Sequence, residues 1–300
     1  MAVDPRSSSL ILFASFWNER QFLDVSLRQL EAIDPAEILL SDGCFDPALP
    51  KQSKDGTLET LQEFVAQRSN ARLVPAVRAT RLTHLAKLMF WLAKTTDVPR
   101  AFVFSLLSQF RTTSLYRLNQ AETFNSMLEK SEHLKPGSWV STFDADEFFS
   151  RDAIAKLRSL NGSADFDRGL TREVIVKRKG ERTLIELTPN IRTWNTPHKV
   201  LSDIRFFPTR QIWRPEHGLS KNQPIGSSTD RFLGEFLHYK TRGAERAAAT
   251  YQVGDRRAPD DLEIPSPPDF EALTREVIEN DFGRLASRAH ERVGNKNADS

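Results

Sequence analysis

Asp144, Asp146 and Glu147 stand within four positions in "WVSTFDADEFFS" (Trp139–Ser150), directly behind an apolar run. Charged side chains are rarely buried unpaired, and three carboxylates this close repel one another unless a cation lies among them. The cluster therefore either fans out into water or holds a metal. An Asp-x-Asp on a tight turn after a strand presents two carboxylates to a hard divalent ion and leaves positions open for diphosphate oxygens. The same residues also suit a solvated turn that opens a helix over Asp152–Leu160.

The elements that must position this cluster are legible upstream. "LILFASF" reads as a buried strand, followed by a helix with Leu23, Leu27 and Leu30 on one face, ending near Asp34-Pro35. "EILLSDG" supplies a second strand that stops at Asp42-Gly43. Leu58, Leu61 and Val65 line another helix, and "ARLVPAV" reads as a third strand. The stretch Leu82–Leu92 is helical and apolar on one side. Phe124, Met127, Leu128 and Leu134 build a helix running to Pro136-Gly137, and "SWVSTF" is the strand before the acidic cluster. Alternating strands and helices of this kind predict a largely parallel, doubly wound sheet. In such sheets ligands bind outside the carboxyl ends of the strands. Asn18-Glu19, Ser41-Asp42-Gly43 and Asp144-Ala145-Asp146 all fall on that edge.

Beyond Ser150 the pattern changes to short strands, turns and aromatics, including Trp194, Trp213 and Phe236, a continuation that covers the sheet edge. "IPSPPDF" (Ile264–Phe270) is a Pro-rich break, after which Phe270, Leu273, Val277, Leu285 and Ala289 predict one amphipathic helix. The divisions are 1–150 for the first half of the domain, 151–251 for its acceptor-side part, and 252–300 for a linker and terminal helix.

Composition narrows the classes. The apolar fraction of 39% and charged fraction of 27% over 300 residues are those of an ordinary globular chain. A net charge of +2 gives no bulk attraction to nucleic acid or anionic membrane. Local basic runs, Val176–Arg182 and Gly254–Arg257, fit solvated faces. One thiol, Cys44, excludes an internal disulfide framework and a cysteine metal knuckle. The apolar run Leu10–Trp17 is too short to span a bilayer, so a cytoplasmic location is expected.

"SFWNER", "LLSDGCFD…SKDGTLETLQEF", "FDADEFF" and "GEFLHYKTRG" together resemble the glycosyltransferases of the GT-A fold, most nearly the family-two enzymes of bacterial surface polysaccharide and lipopolysaccharide core. The resemblance covers roughly Leu10 to Tyr251. It implies a Rossmann-like sheet with a C-terminal acceptor-side extension, and metal-dependent transfer of a sugar from a nucleotide-diphosphate sugar, a UDP-sugar, to a hydroxyl acceptor such as a saccharide. It further implies that Asn18, Glu19 and Asp42 cradle base and ribose, that Asp144 faces ribose and metal, and that Asp146 binds Mn²⁺ or Mg²⁺. Two departures stand out. Nine residues separate Asp42-Gly43 from Ser53-x-Asp55-Gly56-Thr57, which the family runs together. Glu216-His217 reverses the family's His-Glu order.

Several residues carry two readings. His238, in "FLHY", fits a packed core imidazole on its surroundings alone; the resemblance makes it the third metal ligand beside Asp144 and Asp146, and imidazole suits Mn²⁺. Lys240 and Arg242 form either a solvated basic turn or the cations that neutralise a departing diphosphate. An inverting transfer needs a carboxylate to take the acceptor proton. Glu216, flanked by Trp213 and His217, is the first candidate among Glu216, Glu235, Asp203 and Asp230. Three rival functions stay open: sugar transfer to a nucleic-acid base, with Arg72–Lys87 and Val176–Arg182 tracking phosphates; nucleotidyl transfer; and nucleotide-sugar binding without turnover.

Overall fold

The computed structural model describes residues 8–95, 100–166, 168–179, 182–192, 197–201, 203–208, 211–214, 218–219 and 230–239. The first strand, β1 (Leu10–Phe16), is apolar on both faces, as a strand sandwiched between helix layers must be. It runs parallel to β2 (Glu37–Asp42) on one side and β4 (Trp139–Phe143) on the other. β2 in turn pairs in parallel with β3 (Ala71–Leu73). These four strands form the parallel half of a nine-stranded sheet ordered β3-β2-β1-β4-β8-β6-β12-β5, with β7 paired to β6.

The second half is mixed. β6 (Arg168–Lys179) and β7 (Arg182–Arg192) make a long antiparallel hairpin, β8 (His198–Lys199) bridges β4 to β6, and β12 (Asp230–Tyr239) runs parallel to β6 and antiparallel to β5 (Glu147–Phe149). A separate three-stranded sheet joins β9 (Arg205–Phe207), β10 (Gln211–Arg214) and β11 (Gly218–Leu219). The region expected to hold only short strands thus contains the longest ones.

Helices cover both faces, so the doubly wound α/β expectation holds. Leu10, Leu12, Ala14 and Phe16 of β1 point to a core built with α1 (Arg20–Ile33), α2 (Thr57–Ala66) and α6 (Arg151–Arg158). Ile11 and Phe13 point the other way, against Phe124, Met127 and Leu128 of α5 (Leu115–Lys130). The strand period of two supplies both cores from one segment. Between β3 and α5 the chain inserts α3 (Arg81–Lys94) and α4 (Arg100–Thr112).

α5 ends at Lys130, earlier than its apolar spacing predicts. Buried Glu37 accounts for this: its carboxylate accepts from Glu132 N at 3.2 Å and His133 N at 3.3 Å, and from the Ser131 hydroxyl. Backbone donors committed to a side chain cannot continue the helical ladder. Leu134 still packs on the core, but from the turn beyond the helix.

Gly234 sets the course of β12. It sits in a bulge at φ +144°, and a Cβ there would lie 2.8 Å from Ala153 Cβ of α6. Only a residue without a side chain lets the strand pass this close. Four residues later the strand presents His238.

The terminal helix predicted after Ile264, the whole of 252–300, and Glu216, His217, Trp194, Lys240 and Arg242 lie outside the described residues.

Candidate active site

In the parallel half of the sheet, β1 and β2 end level, and β4 ends two residues short of them on the same side. Phe16 pairs with Asp42 across β1 and β2, and Ala14 with Phe143 across β1 and β4. The residues that follow, Asn18-Glu19, Gly43 and Asp144-Ala145-Asp146, therefore leave the sheet along its carboxyl edge. Three segments far apart in sequence share that edge because parallel strands must.

Asn18 holds a left-handed conformation, φ 51°, which asparagine tolerates better than most side chains. Its amide N–H donates to Ser53 Oγ at 2.9 Å, and its own Oδ1 accepts from Lys54 N at 3.0 Å. Ser53 passes the connection on. Its hydroxyl donates to Asp42 Oδ1, and its amide donates to Asp42 Oδ2 at 3.1 Å. Glu19 N donates to Thr57 Oγ1 at 3.0 Å, while Asp55 accepts from Arg20 N at 3.0 Å and Thr57 N at 3.1 Å. The segment Ser53–Thr57 thus cross-links the ends of β1 and β2 through side-chain and backbone bonds at once.

The nine-residue insertion does not break this arrangement. Cys44 N donates to Lys51 O at 2.9 Å and closes the loop at its neck, and Arg78 bonds Cys44 O at 2.8 Å and Pro50 O at 3.1 Å. Gly43 makes the neck possible: a Cβ there would meet Ala76 Cβ at 2.6 Å. Ser53 consequently returns to Asp42 despite the intervening residues.

Asp42 is partly buried, and its carboxyl titrates above the ordinary aspartate range. Burial is the main cause, because desolvation disfavours the charged form, and the negative charges of Asp55 and Glu59 push the same way. The two hydrogen bonds from Ser53 oppose the shift without cancelling it.

The Asp144–Phe149 segment is pinned to α1. Ser26 Oγ donates to Ala145 O at 2.6 Å, and the Gln29 side chain bonds Glu147 O at 3.0 Å and Phe149 N at 2.6 Å. Asp146 and Glu147 are buried, 0% and 1% exposed, whereas Asp144 retains partial access to solvent. Two of the three carboxylates therefore do not fan out into water, which removes the solvated-turn reading for them. A helix does open at Ser150, whose hydroxyl accepts from Ala153 N at 3.1 Å, but the acidic residues precede it.

Across β5 and β12, His238 pairs with Glu147, and its Nε2 lies 3.4 Å from Asp146 Oδ2. A charge-assisted N–H···O⁻ bond is shorter, about 2.7–2.9 Å. Neighbouring ligands on an octahedral ion with bonds of about 2.1 Å stand roughly 3 Å apart. At 3.4 Å the pair is longer than either. Among the described residues no group of three or more His, Cys, Asp or Glu could hold an ion by itself. A divalent ion here fits only as one shared with substrate oxygens and water, the usual state of a Mg²⁺-like site.

A second polar cluster has no motif in the sequence. Buried His84 of α3 bonds Asn119 Oδ1 of α5 at 2.7 Å, and Asn119 also takes Ala79 N at 3.1 Å and donates to Phe45 O at 2.8 Å. Glu122 receives Lys87 at 2.5 Å and Arg205 at 3.2 Å. His84, Glu122 and Arg205 line a small open cleft of about 40 Å³ between α3, α4, α5 and β9. Burial lowers the pKa of His84 and, separately, that of Arg205. Asn119 joins this cleft to the loop that follows Asp42, a connection that no local spacing announces.

No protein-family model matches the sequence, and no curated protein does. Among solved structures the chain is similar to the mannosyltransferase PcManGT from Pyrobaculum calidifontis, in complex with GDP-Man and Mn²⁺. The two share 14% identity over 91% of this chain and 71% of that one, with a TM-score of 0.39. What the site does is argued below from its own residues.

Proposed function

We propose that this chain is a metal-dependent glycosyltransferase of the GT-A type, taking a sugar from a nucleotide-diphosphate donor, a UDP-sugar, to an acceptor hydroxyl. The observation that carries the reading is buried Asp146 beside His238 at the sheet edge where Asn18 and Asp42 are also held. A buried carboxylate next to an imidazole, at the place where open α/β sheets bind ligands, has the chemistry of a site for a hard cation and a diphosphate.

In this reading Asn18, Glu19 and Asp42 hold base and ribose, and Ser53 and Thr57 fix their orientation. Asp144, Asp146 and His238 would share Mn²⁺ or Mg²⁺ with donor oxygens and water rather than hold it alone, and the ion would supply Lewis-acid charge to the leaving diphosphate. The acceptor oxygen bonds to the anomeric carbon as the bond from that carbon to the diphosphate oxygen breaks. The acceptor proton goes to a carboxylate, for which Glu216 is proposed on sequence grounds, and Lys240 and Arg242 are proposed to neutralise the departing nucleoside diphosphate. Positioning of the acceptor supplies much of the remaining rate.

A thermal-shift panel of UDP, GDP, ADP and CDP with and without Mn²⁺ tests the proposal, since a ligand of the native state raises its midpoint by mass action. A UDP-specific rise that grows with Mn²⁺ is expected. No rise with any nucleotide would sink it, and release of pyrophosphate from a nucleoside triphosphate and a sugar phosphate would transfer the site to nucleotidyl chemistry.

A further inference from the structure

α3 is apolar on two faces, and among the described residues only one of them has a packing partner. Leu88 packs with Leu106 of α4 and Phe207 of β9, supported by Trp91, Leu92 and Phe110. The opposite stripe carries Leu82, Met89 and Phe90, which are 78%, 49% and 63% exposed, with exposed Ala86 and Ala93 completing it. At 3.6 residues per turn these positions share one face of the helix. In α4, Phe104 adds a further aromatic at 74% exposure. Scattered exposed apolar residues need no explanation, but a contiguous helical stripe marks a surface that something covers.

The charge around the stripe points to what covers it. Between Arg81 and Thr112 the sequence has five cations, Arg81, Lys87, Lys94, Arg100 and Arg111, against one anion, Asp97. This bias is local, since the whole chain is nearly neutral at +2. Lys94 lies over the Phe90 ring, 4.1 Å from its centroid, placing a cation beside the most exposed aromatic of the stripe. Lys87 turns inward to Glu122, so Lys94 is the lysine of α3 that flanks the outward face. An apolar helical face with a cation at its border is a pattern of helices that lie in a membrane interface, with rings in the acyl boundary and ammonium groups among anionic headgroups.

We propose that the outward face of α3 docks this protein on an anionic lipid surface, lying along the bilayer rather than crossing it. Among the described residues no helix is long and apolar enough to cross. The docking surface is tied to the candidate active site: His84 on the inner side of α3 bonds Asn119, and Asn119 bonds Phe45 O, three residues beyond Asp42. Nothing in this inference depends on sugar transfer, and no donor is needed to test it.

The test is co-sedimentation of the full chain with vesicles of phosphatidylcholine mixed with phosphatidylglycerol, and with phosphatidylcholine alone. Binding to the mixed vesicles is expected, weakened by high salt and much lower without the anionic lipid. Met89→Ser combined with Phe90→Ser is expected to lower the partition coefficient at least about tenfold, because the apolar area that enters the interface is gone. Leu82→Ser gives an independent reading from the same face, and Lys94→Glu should remove most of the salt-dependent part. Their melting temperatures should match the wild type, since all four side chains face solvent. The proposal is overturned if the wild-type chain stays in the supernatant, or if it sediments equally well after these substitutions. It is equally overturned if light scattering shows a dimer that Met89→Ser and Phe90→Ser dissociate while vesicle binding is absent.

Discussion

His238 Nε2 stands 3.4 Å from Asp146 Oδ2, joining the last described strand of the sheet to the turn that ends β4. The contact spans ninety-two positions and exists because β12 pairs antiparallel with β5, one residue past Asp146. If the two are neighbours on a metal ion, their substitutions have distinguishable effects. Asp146→Asn removes the charge that holds a hard cation and should lower transfer about a hundredfold or more. His238→Ala should shift the Mn²⁺ titration to higher concentration and recover part of its activity in excess Mn²⁺. A packed core histidine would instead lose about 1–3 kcal/mol of stability with the metal titration unchanged. Melting curves and Mn²⁺ titrations on the same two variants separate the cases.

Ser53 accepts from Asn18 N and donates to Asp42, so one hydroxyl couples the two strand ends proposed to hold the nucleotide. Ser53→Ala should cost about 1 kcal/mol of stability and weaken UDP binding roughly tenfold, the equivalent of one well-placed hydrogen bond. Calorimetric titration reads the affinity. An unaltered affinity would detach this lattice from nucleotide recognition.

Asp42 supplies a pH test with two opposite signs. Its folded-state pKa is raised, so the folded chain takes up this proton more readily than the unfolded chain does. As pH falls through the raised value, the cost of the buried charge is relieved and the fold gains stability from this group. A protonated Asp42 is meanwhile a poorer acceptor for a ribose hydroxyl, so UDP affinity should fall over the same interval. Asp42→Asn should abolish both trends, measured by melting and by titration across the acidic range.

His84 predicts a different pH dependence. Burial depresses its pKa, ahead of the opposing effects of Asn119 and Glu122, so the folded state refuses a proton that the unfolded chain accepts near 6.5. Its contribution is present above that pH and is lost as pH falls toward the depressed folded value. The slope from one such group is at most about 1.4 kcal/mol per pH unit. His84→Gln keeps a donor for Asn119 and should flatten the decline, which denaturant unfolding between pH 7 and pH 5 would show.

What was legible in the sequence follows from which signals are local. β1, β2, β4 and α1 could be read because buried strands and amphipathic helices carry their periods in contiguous residues. A parallel sheet has its strand carboxyl ends on one side, which puts Asn18, Asp42 and Asp144 on one edge from the order of strands and helices alone. The end of α5 has no local signal because the group that stops it, Glu37, belongs to β2. The return of Ser53 to Asp42 was equally hidden, since the closure depends on Arg78 and on the space around Gly43. The His84–Asn119–Glu122 cluster escaped because its members lie on two helices with no shared motif.

Isothermal titration of UDP, in wild-type protein and in Asp146→Asn, with and without Mn²⁺, addresses the central claim most directly. The account predicts that Mn²⁺ strengthens UDP binding to the wild type at least about tenfold, through shared coordination of diphosphate and carboxylate. In Asp146→Asn that enhancement should vanish while residual metal-free binding persists through Asn18 and Asp42. Equal UDP affinity with and without Mn²⁺ in the wild type, or the same enhancement in Asp146→Asn, would contradict it.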